Sequence, residues 1–192
     1  MGTLASVGVL LINTLGSLLL LAVLLRFLLQ LAKADFYNPI TQAIVQITDP
    51  GVRLFRRLIP GFRGIDFSSL ILALLLQMIA TSLLILFSGF ALPGAGLIIT
   101  WSATGLLSFI LNIYFWAIII SIVASFIAPY SAHPALSLTR QLTEPVMAPF
   151  RRLLPAMGGL DFSPILVFLS IQIIRTVIIG QVALNPALVL GI

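Results

Sequence analysis

Cysteine is absent from this chain of 192 residues, and histidine occurs once, as His133. Disulfides, thiolate metal sites and cysteine nucleophiles are thereby excluded, and a histidine metal cluster is out of reach. Acids are scarce too: five Asp and Glu stand against ten Lys and Arg, and only 8% of the chain is charged, where a soluble domain carries about a quarter. With 60% hydrophobic residues and a mean hydropathy of +1.22, the chain is not a water-soluble globule. Its cations are too sparse and too embedded in apolar sequence to coat a nucleic acid. No nucleotide-binding glycine loop, paired carboxylate site or nucleophile with a base is visible, so neither an enzyme, a cofactor nor a metal is expected. The expected surroundings are a lipid bilayer with anionic head groups.

What is present is long apolar sequence. A membrane helix needs about 20 consecutive apolar residues, and four such runs occur: roughly 4–32 with Arg26 inside, 67–92 without charge, 97–128, and 162–184 with Arg175 inside. The break Leu92-Pro93-Gly94-Ala95-Gly96 separates the middle two. Ala32-Lys33-Ala34 resembles a signal-peptide cleavage site, but no Lys or Arg precedes the first run and the run is too long for one, so it is read as a span.

Cation placement gives direction. Lys33, Arg53, Arg56, Arg57 and Arg63 lie between the first two runs, and Arg140, Arg151 and Arg152 between the last two, while the Pro/Gly break and both tails have none. The expected topology puts both long loops in the cytoplasm and both termini on the far side of the membrane.

A shift of 95 residues aligns the chain with itself without gaps, pairing Thr48 with Thr143, Pro50 with Pro145, Arg56 with Arg151, Arg57 with Arg152, Asp66 with Asp161, Gln77 with Gln172 and Thr81 with Thr176. Two units, 1–95 and 96–192, each read as span, loop, span. Both start from the same side, so the repeats are parallel, and the exchange of inverted repeats that gives alternating access loses support. The expected fold is an all-α membrane protein with four transmembrane helices, two per repeat, and interfacial amphipathic helices in the loops.

Each loop carries structure. Asn38-Pro39 reads as a helix start, with Asn capping and Pro at the first position, and Asp49-Pro50 reads as a restart. From Gly51 to Ile59, Val52, Phe55, Leu58 and Ile59 share one face while Arg53, Arg56 and Arg57 take the other, an element suited to the head-group plane. Asp66 and Asp161 stand where the second and fourth spans begin and read as helix caps.

These loop motifs resemble the YggT family, also called YlmG, of small bacterial and plastid membrane proteins. The resemblance rests on Asn38-Pro39, Thr48-Asp49-Pro50, Phe55-Arg56-Arg57-Leu58-Ile59-Pro60 and Gly64-Ile65-Asp66-Phe67-Ser68, with a second copy running from Thr143-Glu144-Pro145 to Asp161-Phe162-Ser163-Pro164. The copies differ at Ser69 against Pro164 and at Asn38 against His133. The resemblance implies an integral membrane protein without an established catalytic reaction, linked to osmotic-stress tolerance and ion homeostasis in bacteria. In plastids and cyanobacteria it implies division, nucleoid organisation or cytochrome assembly.

Candidate sites follow from polar residues in apolar surroundings. Arg26 lies about 10 Å below the end of its span, so it snorkels, pairs with Asp66 or a lipid phosphate, or has a function. Arg175 lies near mid-depth with no acid in any span. It either contacts helix carbonyls and Gln172 or binds an anion, head group or partner acid. Gln77 with Thr81, and Gln172 with Thr176, form stripes that pack helices or line a path. Arg56, Arg57, Arg151 and Arg152 are candidates for holding the loops at head groups or an acidic partner, with Asp66, Asp161, Asn38 and Pro39 shaping the loop ends. The favoured reading is a non-enzymatic factor of osmotic or ion homeostasis that docks to another membrane complex. A channel or transporter, a division or assembly scaffold, and a homo-oligomer remain open.

Overall fold

The computed structural model describes residues 2–57, 59, 64–153, 161–180 and 186–191. Leu58, Pro60, Arg63, residues 154–160 and residues 181–185, all used in the sequence reading, lie outside this set. Among the described residues the chain is helical and contains no strand. The first helix, α1 (Thr3–Leu31), has one wide π turn at Ile12–Gly16. It is followed by α2 (Pro39–Arg56), α3 (Phe67–Phe87), α4 (Ala95–Ile127), α5 (Pro134–Leu153) and α6 (Ser163–Ile174).

Leucine-rich sequence without interior proline makes α1, α3 and α4 continuous, and each is long and apolar enough to cross a membrane. At 33 residues, α4 extends about 50 Å, more than the hydrocarbon thickness. Its first end follows the Pro93-Gly94 break, with Gly94 extended at the N-cap. At its C-terminal end, α1 stops in a left-handed residue, Lys33 (φ 53°), while Ala34 N–H bonds the Leu29 carbonyl at 2.9 Å. This is the closing turn that usually uses glycine.

The fourth apolar run, expected over 162–184, is described up to Gly180. It is α-helical over Ser163–Ile174, continues through a π turn at Arg175–Ile179 and turns at Gly180. These 17 residues extend about 25 Å. Beyond it, a short 3-10 turn at Pro186–Leu188 leads a segment back into the bundle, where Leu188, Val189 and Leu190 are buried.

The proline-restart expectation is corrected. Helix α2 runs through Pro50 and α5 through Pro145 and Pro149 without interruption. Pro50 deprives the Gln46 carbonyl of its helical donor, but Gln46 lies on the exposed side of α2, where solvent can replace that bond.

Leu20, Leu24 and Leu28 of α1, Ala73 and Leu84 of α3, and Leu106 and Ile113 of α4 form one core. Leu111 and Ile118 of α4 join Met147 of α5 and Val167 of α6 in a second. Helix α4 therefore holds the two repeats together. Helix α2 rests on α1 and α3, and α5 on α4 and α6. Large apolar side chains such as Leu18, Ile79, Trp116 and Ile173 face outward, the pattern of a chain solvated by lipid rather than water.

Candidate functional site

Two polar regions stand out: a charge network where the loop helices meet the spans, and a set of uncharged polar side chains deep among α3, α4 and the 186–191 segment.

The charge network of the first repeat is built around Arg26, which is 6% exposed. Its Nη1 donates to the Val45 carbonyl at 3.3 Å, to Thr48 Oγ1 at 3.0 Å and to Asp49 Oδ1 at 2.9 Å, and its Nε lies 3.8 Å from Asp66 Oδ2. Arg26 is thus held by the loop helix rather than snorkelling free. Asp49 is the partner that sequence reasoning missed, although the recurrence of Thr-acid-Pro at 48–50 and 143–145 marked it. Asp66 caps α3, accepting from Ser69 N at 3.3 Å and Ser69 Oγ at 2.8 Å, and also accepts from Arg56 Nη2 at 2.8 Å. Asp49 pairs in addition with Arg53 at 2.6 Å. Burial works against the Asp49 carboxylate, but the hydrogen bond and charge of Arg26 and the charge of Arg53 outweigh it and hold its pKa below the ordinary 3.8. Beside this network lies a cavity of about 600 Å³ reached by Arg26, Lys33, Arg53, Arg56 and Thr41.

In the second repeat the position of Arg26 is Ser121. The two carboxylates persist and share one arginine: Arg151 Nη1 bonds Glu144 Oε2 at 2.6 Å and its Nε bonds Asp161 Oδ2 at 3.0 Å. Desolvation opposes ionisation of Asp161, but bonds from Ser163 and the charge of Arg151 hold its pKa below 3.8. A cavity of about 540 Å³ opens beside Ser121, Thr143 and Arg151. Arg56 and Arg151 are therefore directed at carboxylates, while Arg57 and Arg152 remain exposed.

The loop-helix starts are tied across the repeats. Asn38 Oδ1 accepts from Ile40 N at 2.9 Å with Pro39 at the first helical turn, and Asn38 Nδ2 donates to the Pro134 carbonyl at 2.9 Å. His133 replaces Asn38 in the second copy and does the same local work, its Nδ1 accepting from Ala135 N at 3.2 Å.

At membrane depth, Gln77 and Thr81 are fully buried. Gln77 Nε2 donates to the Leu190 carbonyl at 3.1 Å, and Ser108 Oγ and Asn112 Nδ2 donate to the Gly191 carbonyl at 3.0 and 2.7 Å. Non-helical backbone is tolerated at this depth because protein side chains satisfy it. Arg175 Nη2 donates to Asn112 Oδ1, and its buried Nε has no bond among the described residues. Asn112, not Gln172, is the neighbour of Arg175, a pairing hidden by a separation of 63 residues. Gln172 and Thr176 are exposed; Thr176 Oγ1 returns to the Gln172 carbonyl at 2.9 Å, and the Gln172 amide makes no bond among the described residues. The structure thus separates two stripes that the sequence paired.

The CCB3/YggT family matches the chain twice, over residues 5–87 and 100–182. An uncharacterized protein of Pseudomonas aeruginosa is 46% identical over 173 residues, covering 90% of this chain and 88% of that relative. A protein of Escherichia coli K12 named uncharacterized protein YggT is 37% identical over 168 residues, covering 86% and 85%. No solved structure matches. On these matches, the chain belongs to the CCB3/YggT family.

Proposed function

We propose that this protein is a non-enzymatic docking factor of a bacterial inner membrane, with both loops cytoplasmic, whose fourth apolar helix packs against another membrane protein. The observation that carries this reading is Gln172. It lies nine residues beyond Ser163, about 14 Å along α6, among the exposed apolar side chains of Leu169 and Ile173. A bare amide in hydrocarbon costs several kcal/mol. A partner helix offering a carbonyl, hydroxyl or amide removes that cost.

The channel reading receives less support, because Gln77 Nε2, Ser108 Oγ and Asn112 Nδ2 are bonded to the carbonyls of Leu190 and Gly191, leaving Gln77 Oε1 and Thr81 Oγ1 as buried atoms of the stripe without a bond among the described residues. Osmotic or ion homeostasis is the process the family resemblance favours. The reading is tested by affinity purification of the full chain from native membranes, beside the Gln172→Leu variant, together with ion flux in liposomes. Co-purification of one membrane partner, lost in Gln172→Leu at unchanged protein level, supports docking. Gradient-driven flux from purified protein without a partner overturns it.

A further inference from the structure

We propose that the cavity of the first repeat binds a phosphate-bearing anion. Four cations reach it, Arg26, Lys33, Arg53 and Arg56, against the carboxylates of Asp49 and neighbouring Asp66, leaving a net charge of +2. Asp49 is directed at Arg26 and Arg53. The anchoring of Arg26 by Val45, Thr48 and Asp49 means that this guanidinium is already in position when an anion arrives. Thr41, 6% exposed, lines the same cavity, and its Oγ1 is buried without a hydrogen-bond partner among the described residues. A hydroxyl hydrogen beside guanidinium and ammonium groups is a donor set suited to phosphate oxygens.

The second repeat provides the internal comparison. The residues corresponding to Arg26, Lys33, Thr41 and Arg53 are Ser121, Ala128, Leu136 and Ala148; only Arg56 is retained, as Arg151. That arginine is already occupied by Glu144 and Asp161. The second corner has one further cation, Arg140, whose Nη2 donates to the Pro129 carbonyl at 3.3 Å, so its two arginines only balance Glu144 and Asp161, and the excess of positive charge is confined to the first repeat. Lys33 in particular holds a left-handed backbone position, φ 53°, where glycine is the favoured residue. Keeping a long cation there maintains an ammonium at the rim of the cavity. The phosphate has two sources, the head group of an anionic lipid or a soluble phosphate. This proposal stands independently of the docking reading.

The test uses the purified full chain and its thermal unfolding midpoint, in nanodiscs of phosphatidylglycerol or phosphatidylcholine and with inorganic phosphate or chloride at equal ionic strength. The Lys33→Ala/Arg53→Ala variant installs the residues of the second repeat at two exposed positions, and Thr41→Val removes only the hydroxyl. Arg152→Ala removes an exposed cation outside the cavity. Stabilisation of the wild type by at least about 4 °C with one probe, at least halved in the double variant and in Thr41→Val but kept in Arg152→Ala, supports the site. A shift only with phosphatidylglycerol assigns a lipid head group, and a shift only with inorganic phosphate assigns a soluble anion. No shift with either probe, or equal loss in Arg152→Ala, overturns it.

Discussion

Gln77 and Gln172 stand 95 residues apart at equivalent places in the two repeats and have opposite surroundings. Gln77 is fully buried and bonded to Leu190, whereas Gln172 faces outward with a bare amide among the described residues. One repeat has used its glutamine to hold a returning stretch of its own chain. Its counterpart is left with hydrogen-bonding capacity at membrane depth, the basis of the docking proposal.

The returning segment depends on a close backbone approach at Gly105. A Cβ there meets the Gln77 amide nitrogen at 2.6 Å and also Val189 Cγ1. Gly105→Ala should therefore displace residues 186–191, at an overpacking cost of about 1–3 kcal/mol. The chain has no cysteine, so Val189→Cys gives a clean probe. Its thiol labelling should accelerate by about 5- to 150-fold when Gly105→Ala is added, as expected for such a cost. Unchanged labelling would show that the segment does not need this contact.

Arg26→Leu should destabilise the protein by about 3 kcal/mol, the low end for breaking a buried pair. The low end applies because Arg53 still faces Asp49 and Arg56 still faces Asp66. The thermal midpoint in detergent should fall by roughly 6–12 °C. A variant as stable as the wild type would mean that the network contributes nothing.

Ser121→Arg restores to the second repeat the cation present in the first. The cavity of about 540 Å³ beside Ser121 has room for the side chain, and Glu144 and Asp161 supply acceptors. The thermal midpoint should rise, and Glu144→Gln/Asp161→Asn should abolish the gain. A lower midpoint for Ser121→Arg would contradict the equivalence of the two corners.

Acid should weaken the loop side. The pKa values of Asp49 and Asp161 are held below the ordinary carboxyl value in the folded protein. Their stabilising effect is therefore present above the unfolded pKa of about 4 and is lost as pH falls through it towards the folded values. The thermal midpoint should be level from about pH 7 to 5 and drop below about pH 4. Asp49→Asn/Asp161→Asn should flatten that drop; an unchanged acid profile would assign it to other groups.

The long apolar helices, the loop helices and the caps at Asn38 and Asp66 were legible because each is written in local sequence: run length, Asn-Pro, and Asp before an apolar run. Continuity through Pro50 was not, since it depends on which side of α2 the lost hydrogen bond faces. The Arg26–Asp49 pair spans 23 residues and the Arg175–Asn112 contact 63, so neither follows from local periodicity. The return of residues 186–191 was hidden because the bonds that hold it, from Gln77 to Leu190 and from Ser108 and Asn112 to Gly191, join residues 79 or more apart in the chain.

Site-specific photo-crosslinking in native membranes tests the docking claim most directly, with the reactive group placed at Gln172 and, for comparison, at the lipid-facing Ile79, which is 57% exposed. The account predicts a discrete protein adduct at position 172, absent at 79 and reduced when Thr176→Leu alters the adjoining turn. Adducts with lipid alone at both positions would contradict it, and an adduct of the chain with itself would assign the face to a second copy rather than a different protein.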